Sequence, residues 1–296
     1  MSDLIVEFAK RLSKKDDATK VKTKISKHVS TTFLEVTEKA EIKLGKEKGA
    51  YYTIEFPFDP VMQLVEKKTI LHEATKAITQ VIQKCEIDKL SKVLVVGLGN
   101  PKMVADCFGP RTCERILVTR HVTKSGHYPD NLCEVSCLST NVFGKTGLES
   151  FEIVNGVVRE IKPDLVILLD TLVACSVKRL CTNIQIANVG IVPGSGVDNA
   201  RKELSKKSLQ VPVVTIGVPF VVYADSFCNE EAKKLINRLT EKNFTKDFEF
   251  KSLKDLIVMP REIEQQVRFC CDVVASAINN ALNPNFSVND IETFFV

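Results

Sequence analysis

Two unbroken runs of Val, Leu and Ile constrain the fold of this 296-residue chain more than any other feature. They cover residues 93–96 and 165–169. A strand that is apolar at every position is buried on both faces, which is typical of the central parallel strands of an α/β sheet. Polar chemistry is then confined to the ends of the strands. Asp170 directly follows the second run, and Asp106 follows the first after a short loop.

The remaining patterns alternate between strand and helix, which predicts an α/β fold with a mostly parallel central sheet flanked by helices. Further strands are predicted at 50–56, 133–139, 182–190 and 211–218, and helices at 61–85, near Pro110, at 149–161 and at 261–282. Residues 1–45 are polar, with a short alternating stretch at 31–36, and are predicted to form an arm with edge β structure or a regulatory remnant. Residues 46–296 are predicted to form the α/β catalytic domain.

Composition excludes several classes of protein. The 41 basic and 37 acidic residues are spread along the chain and leave a net charge of +4, so no direct nucleic-acid partner is expected. No apolar run reaches the length of a membrane span, and the first residues lack the layout of a signal peptide, which predicts a cytoplasmic protein. Ten scattered cysteines in a chain of this size are expected to be reduced thiols.

The two aspartates admit two interpretations. An Asp after a strand is often only a turn former or a helix N-cap. Two carboxyls at the carboxyl ends of neighbouring parallel strands would instead meet in the crevice where such sheets bind ligands, and could share a proton and divide acid and base work. Asp106 and Asp170 are therefore the candidate catalytic residues.

Two glycine loops and one His/Cys group complete the candidate sites. The first loop, GLGN, fits a dinucleotide fingerprint poorly because Lys102 occupies the third glycine position, so no cofactor is expected. The second loop, PGSG, follows another predicted strand and is either a plain turn or a wall of the crevice. The residues expected to support the site are Gly97, Gly99, Asn100, Gly109, Pro193, Gly194, Ser195 and Gly196. A zinc site would have to be built from His121, His127, Cys133 and Cys137, whose spacing matches no zinc ribbon or finger, and no metal is predicted.

A resemblance adds to these patterns. The chain contains in order VVGLGNPKMVADCFGPR, ILVTRH, GLESFEIVNGVVREIKPDLVILLDTLVACSVKR, TNIQIANVGIVPGSGVDNARKELS, VPVVTIGVPFVV and MPREIEQQVRFCCDVVASAINNALNP. Over residues 45–282 it resembles the spore germination protease family, atypical aspartic peptidases with an α/β sandwich similar to that of hydrogenase maturation endopeptidases and phosphorylase-like folds. The family's two essential aspartates fall on Asp106 and Asp170.

The resemblance implies a function. It implies an endopeptidase of the spore core that begins the degradation of small acid-soluble, DNA-coating spore proteins during germination, and that assembles as a tetramer. Two other functions stay open: a metal-dependent maturation-type endopeptidase of the same fold, and a catalytically weakened homologue that acts as a binding module.

Several positions depart from the family's pattern. Val192, Cys175 and Tyr223 stand where the family has polar residues, with Asp225 near the last of them. Family members are made as zymogens and cleave themselves within a stretch like TDLAxE. The similar residues here are Ser2, Asp3, Leu4, Val6 and Glu7, with Ile5 in place of the alanine. Because Ile is bulky and β-branched, this processing is disfavoured. The chain is predicted to be either active without it or restrained by something other than a long N-terminal segment, such as low hydration, acidity or assembly state.

Overall fold

The structure is a computed structural model that describes residues 3–8, 19–124, 132–193, 201–240, 248, 250–253 and 255–286. The strands are β1 (Thr19–Lys24), β2 (Ser30–Val36), β3 (Gly49–Glu55), β4 (Lys92–Leu98), β5 (Glu134–Asn141), β6 (Leu165–Ala174), β7 (Asn183–Ala187), β8 (Val213–Tyr223) and β9 (Ile257–Val258). They form one sheet in the order β1-β2-β3-β7-β8-β6-β4-β5, with β9 paired to the end of β8.

Helices connect the strands and cover the sheet. They are α1 (Ile5–Phe8), α2 (Glu38–Leu44), α3 (Pro60–Gln83), α4 (Phe108–Cys113), α5 (Arg120–Lys124), α6 (Phe143–Thr146), α7 (Ser150–Ile161), α8 (Lys206–Leu209), α9 (Ala224–Thr240) and α10 (Ile263–Leu282). The long helix predicted after Pro60 begins at that residue, because Asp59 caps it by accepting a hydrogen bond from the backbone N–H of Met62. No helix among the described residues is long and apolar enough to cross a membrane.

The predicted parallel strands form one half of the sheet. β4 pairs in parallel with β5 on one side and β6 on the other, and β6 pairs in parallel with β8. Alternate residues of β4 enter different apolar clusters: Val93 and Val95 pack on the side of α3 and α10, and Leu94 and Val96 pack on the side of α7. The α/β class and the two-sided burial predicted from the apolar runs are confirmed.

The other half of the sheet is antiparallel. β1, β2 and β3 form a meander, and β3 joins the rest of the sheet by pairing with β7. The domain boundary predicted near residue 45 falls between α2 and β3. The sheet continues across it, because β2 pairs with β3 over seven residue pairs. Asp3 and the first helix α1 (Ile5–Phe8) also pack on the sheet, with Leu4 and Ile5 fully buried.

Candidate functional site

The loop after β4 presents Asp106. This residue ends a short 3-10 helix, Val104–Asp106, which leads into α4 (Phe108–Cys113). One carboxylate oxygen of Asp106, Oδ2, accepts a hydrogen bond of 2.9 Å from the backbone N–H of Asn100. The loop therefore folds back on itself, and its own backbone holds the carboxylate in place.

Gly99 is the residue that makes this fold of the loop possible. Its φ of +109° is a conformation that residues with side chains rarely adopt, and a β-carbon there would lie 2.1 Å from the carbonyl oxygen of Asp106. The same β-carbon would lie 2.7 Å from the Asp106 carboxylate. Gly99 thus packs closely against Asp106 itself.

Gly97 and Gly109 let α4 approach β4 and β6 closely. A β-carbon on Gly97 would meet the Gly109 backbone at 2.5 Å, and one on Gly109 would meet the carbonyl oxygens of Leu98 and Leu169, each at 2.5 Å. The start of α4 consequently rests directly on the backbone of β4 and β6. Both glycines act from beneath the site, outside the wall of the cavity.

Asp170 lies within β6 rather than just past its end, and this differs from the sequence expectation. The strand extends to Ala174 because β8 continues to pair with it, with Asp170 opposite Gly217 and Ala174 opposite Val222. An apolar run ends where the polar residue appears, whereas a strand ends where its backbone partners end. One Asp170 oxygen accepts a hydrogen bond of 2.9 Å from the backbone N–H of Thr171.

The structure brings the two aspartates together. The backbone N–H of Phe108, two residues after Asp106, donates to the hydroxyl of Thr171 at 3.4 Å. Burial and then the negative charge of Asp106 raise the pKa of Asp170 well above its ordinary value of 3.8. Burial also raises the pKa of Asp106, opposed by the Asn100 N–H bond and by the positive charge of Arg201. Both carboxyls therefore bind protons more tightly than free aspartates do.

A cavity of about 910 Å³ opens over this pair. Its walls include both aspartates, Gly99, the loop at Ile191 and Val192, and residues from the antiparallel half of the sheet. This volume is in the upper part of the range for ligand sites. The cavity lies on the carboxyl side of β4 and β6, where the connections after β4 and β5 run to opposite faces of the sheet.

Arg201 and Asp3 line the cavity, and the sequence analysis assigned neither to the site. The positive charge of Arg201 acts to lower the pKa of Asp106, and the Arg201 Nε lies 3.8 Å from Glu149 Oε2. The position of Arg201 eight residues after Pro193, which also lines the cavity, was the signal in the sequence that could have pointed to it. Asp3 gave no local signal, because its contacts are with Val173 of β6 and Gln185 of β7, 170 and 182 residues away.

The second glycine loop and the departures from the family pattern fall partly at the cavity. Val192, Pro193 and Tyr223 line it, whereas Gly194, Ser195 and Gly196 lie outside the described residues. Asp225 does not replace an acid in the cavity wall, because its carboxylate accepts hydrogen bonds from the backbone and hydroxyl of Ser226 at the start of α9 (Ala224–Thr240). The backbone N–H of Cys175 donates to the Glu7 carboxylate.

The His/Cys group does not converge on one point in the part of the chain that is described. The Cys133 thiol donates to the carbonyl of Ser91 at the start of β4, whereas the Cys137 thiol donates to the carbonyl of Cys113 in α4. Four residues of strand separate them, about 13 Å. His121 is exposed on α5, and His127 is outside the described residues. Among those described, no group of three or more His, Cys, Asp or Glu side chains is arranged to hold a metal ion.

Comparison with known proteins identifies relatives over nearly the whole chain. A family model described as germination protease matches residues 3–255. The germination protease of Clostridium acetobutylicum is 33% identical over 323 residues, covering 99% of this chain and 98% of that protein. The germination protease of Caldanaerobacter subterraneus is 36% identical over 278 residues, which cover 86% of this chain and 84% of that protein. Among solved structures, the [NiFe] hydrogenase maturation protease HycI from Thermococcus kodakarensis KOD1 matches 68% of this chain and 99% of its own, with a TM-score of 0.35 and 16% identity.

Proposed function

The chain belongs to the germination protease family, and we propose that it is an endopeptidase that uses Asp106 and Asp170 to hydrolyse small acid-soluble spore proteins. Family membership supports the protease activity. The substrate, a tetrameric assembly and a location in the spore core are part of the proposal and come from the resemblance in sequence. The cavity lined by both aspartates supports their role in the chemistry.

The role of the pair is supported by two carboxyls that line one cavity, Asp170 within β6 and Asp106 in the loop that follows the neighbouring parallel strand β4. Burial raises the pKa of both, and the charge of Asp106 further raises the pKa of Asp170. Two acids that interact in this way lose their protons in separate steps, so one form of the pair holds one proton and one negative charge. That form can accept a proton at one oxygen and donate one at another, as peptide hydrolysis requires.

The contacts support a division of roles. Asp106 accepts the Asn100 N–H and faces the Arg201 cation, and both favour its ionised form. Asp170 is more deeply buried and faces negative charge, which favours its protonated form. In the proposed reaction the Asp106 carboxylate takes a proton from water as the water oxygen attacks the peptide carbonyl. Asp170 then gives its proton to the nitrogen of the breaking C–N bond, and the two carboxyls exchange protons with solvent before the next cycle.

Incubation with a purified small acid-soluble spore protein tests the proposal. We expect discrete fragments by mass spectrometry, with cleavage unaffected by EDTA. Asp106→Asn and Asp170→Asn should each lower the rate at least about 100-fold, the usual contribution of a general acid or base. The matched control is Asp225→Asn, an aspartate outside the cavity wall, which should cleave like the wild-type protein.

Each contrary outcome has a definite meaning. Intact substrate with correctly folded wild-type protein would contradict the enzyme proposal and favour a binding module. Loss of cleavage on chelation, restored by a divalent metal, would favour a metal-dependent peptidase. Cleavage that survives in either Asn variant would contradict the role of the pair.

A further inference from the structure

Two cysteine thiols outside the candidate site lie against each other between α4 and β5. Cys113 is the last residue of α4, and Cys137 lies in β5. The Cys137 Sγ is 3.7 Å from the carbonyl oxygen of Cys113. The Cys113 Sγ is in turn 3.7 Å from the carbonyl oxygen of Leu138, the residue that follows Cys137. Because these contacts cross between the same two elements, the two sulfur atoms lie side by side.

The two thiols also interact with each other. A hydrogen bond between their side chains is the largest cause of the lowered pKa of Cys137, and together with burial it raises the pKa of Cys113. The Cys113 thiol therefore donates to the Cys137 sulfur once Cys137 has lost its proton. Because the thiolate is the nucleophilic form of cysteine, Cys137 is the reactive member of the pair and Cys113 is the thiol beside it.

The position of the pair leaves it within reach of small molecules. Both cysteines are only partly buried, whereas Cys270 and Cys271 of the same apolar cluster are completely buried. Strand β5 is the outermost strand on this side of the described sheet. A partly exposed thiolate with a second thiol beside it is the arrangement of redox-sensing cysteines.

We propose that Cys113 and Cys137 form a redox-active pair that a hydroperoxide such as hydrogen peroxide converts into a disulfide. The Cys137 sulfur attacks one oxygen of the peroxide and the O–O bond breaks, so that Cys137 becomes a sulfenic acid. The released hydroxide takes up the proton that Cys137 had lost and leaves as water. The Cys113 sulfur then attacks the Cys137 sulfur, the S–S bond forms, and the hydroxyl group leaves as a second water with the proton of Cys113. The two thiols are oxidised by two electrons in all, and the peroxide is reduced by two.

The disulfide ties the helix that follows Asp106 to the edge of the sheet. Helix α4 begins two residues after Asp106, and its start rests on β4 and β6 through Gly109. The bond closes a loop between residues 24 positions apart. Closing such a loop restricts the unfolded chain, so the oxidised protein resists thermal unfolding more than the reduced protein does.

Treatment of the reduced full-length chain with a few equivalents of hydrogen peroxide tests the proposal. We expect the intact mass to fall by the mass of two hydrogen atoms, and a peptide map made without reductant to contain Cys113 joined to Cys137. The melting temperature should rise by at least about 3 °C and return to its starting value with dithiothreitol. A map in which these two cysteines are not joined would overturn the proposal.

Single substitutions assign the roles of the two sulfur atoms. In Cys113→Ser, Cys137 lacks its partner and should accumulate as a sulfenic acid, which dimedone labels. In Cys137→Ser, dimedone should label Cys113 at least about tenfold less, because burial keeps its thiol protonated. Neither variant should gain in melting temperature on oxidation.

Cys228→Ser is the matched control, because Cys228 is also partly buried but lies on α9. This variant should form the bond between Cys113 and Cys137 and gain in melting temperature as the wild-type protein does. Equal labelling in Cys113→Ser and Cys137→Ser would contradict the assigned roles, and loss of the bond in Cys228→Ser would contradict the pair itself.

The inference goes beyond the proposed function, because neither the bond nor its effect on stability depends on cleavage. A protein that forms the bond but leaves a spore protein intact would contradict the proposed function alone. A protein that cleaves the spore protein but does not join Cys113 to Cys137 would contradict only the redox pair.

Discussion

At the scale of single residues, the absence of a β-carbon at Gly99 governs where the Asp106 carboxylate lies. The backbone of Gly99 occupies space that a side chain would need, and the Asp106 carbonyl and carboxylate fill that space. The Asn100 N–H that holds the carboxylate comes from the next residue. The position of the Asp106 carboxylate is therefore set by two consecutive residues, Gly99 and Asn100, and by the missing β-carbon of the first.

Replacement of Gly99 by alanine should disable the protein through this contact. Because the added methyl meets Asp106 and φ is +109°, we expect a loss of at least about 2 kcal/mol in unfolding free energy and a large loss of cleavage. Denaturant unfolding and the cleavage assay measure both. The control is Gly144→Ala, where the methyl has open space, and which should change neither. A fully active Gly99→Ala protein would show that the loop adapts without consequence.

Asp170→Asn should make the protein more stable at neutral and alkaline pH. The folded protein holds the Asp170 proton above the ordinary pKa of 3.8, so stability is fully present below that value and is lost as pH rises through the raised folded pKa. Asparagine removes this loss. We expect a melting temperature at pH 8 at least about 2 °C above wild type and a smaller difference at pH 4.

Asp164→Asn is the control of opposite sign. Burial alone would raise the pKa of Asp164, but hydrogen bonds from Ser91 and Lys92 outweigh it and lower the pKa. Its stabilisation is present above the ordinary pKa of 3.8 and is lost as pH falls through the folded value. Asp164→Asn should therefore lower the melting temperature at pH 8. Equal shifts in the two variants would contradict the assignment of charge at Asp170.

At the scale of elements, helix α3 (Pro60–Gln83) shows where local signals suffice. Pro60 occupies the first position of the helix, and the side chain of the preceding Asp59 accepts a hydrogen bond from the Met62 N–H. Together these two residues fix the start of the helix. We expect Asp59→Ala to cost about 1 kcal/mol of unfolding free energy. The rate of cleavage should be unchanged because α3 packs on the face opposite α7 and contributes nothing to the cavity wall. A changed rate would link the cap to the site.

Local patterns predicted some elements closely and others not at all. The apolar run at 93–96 lies within β4 (Lys92–Leu98), where every residue of the run is buried. Helix α9 (Ala224–Thr240) was not predicted. Its only buried residue is Ala224, so its sequence lacks the apolar stripe that indicates a helix packed on a core. The contact of Asp3 with Val173 depends on pairing between distant residues, which no local pattern carries. The sequence led to the expectation that Asp106 and Asp170 lie close together, and the parallel pairing of β4 with β6 accounts for their proximity even though Asp170 lies within β6.

At the scale of the whole molecule, six of the ten cysteines are buried in the core. All ten cysteines lie in the described part of the chain and none is in a disulfide. Burial raises the pKa of Cys85 and Cys107 to about 11, and that of Cys133, Cys181 and Cys271 to about 12. At neutral pH these thiols are almost entirely protonated and hence poor nucleophiles.

The raised pKa values of these buried thiols should slow their alkylation. Under native conditions at pH 7.5, iodoacetamide is expected to modify these five cysteines at least about tenfold more slowly than after denaturation, and cleavage should continue in the presence of reductant and EDTA. Peptide mapping by mass spectrometry measures the modification at each position. Rapid native modification of Cys107, which adjoins Asp106, together with loss of cleavage would instead make a thiol part of the chemistry.

The strand that carries Asp170 is synthesised before the strand that completes its surroundings. Gly217 of β8 lies opposite Asp170, and Tyr223 of the same strand lines the cavity. Chains leave the ribosome from the N-terminus, so both aspartates emerge while this neighbour is still unmade. Until β8 arrives, Asp170 lacks the burial that holds its proton. A nascent chain therefore carries both aspartates before the cavity around them is complete. Peptidase activity is expected only when most of the polypeptide has been translated.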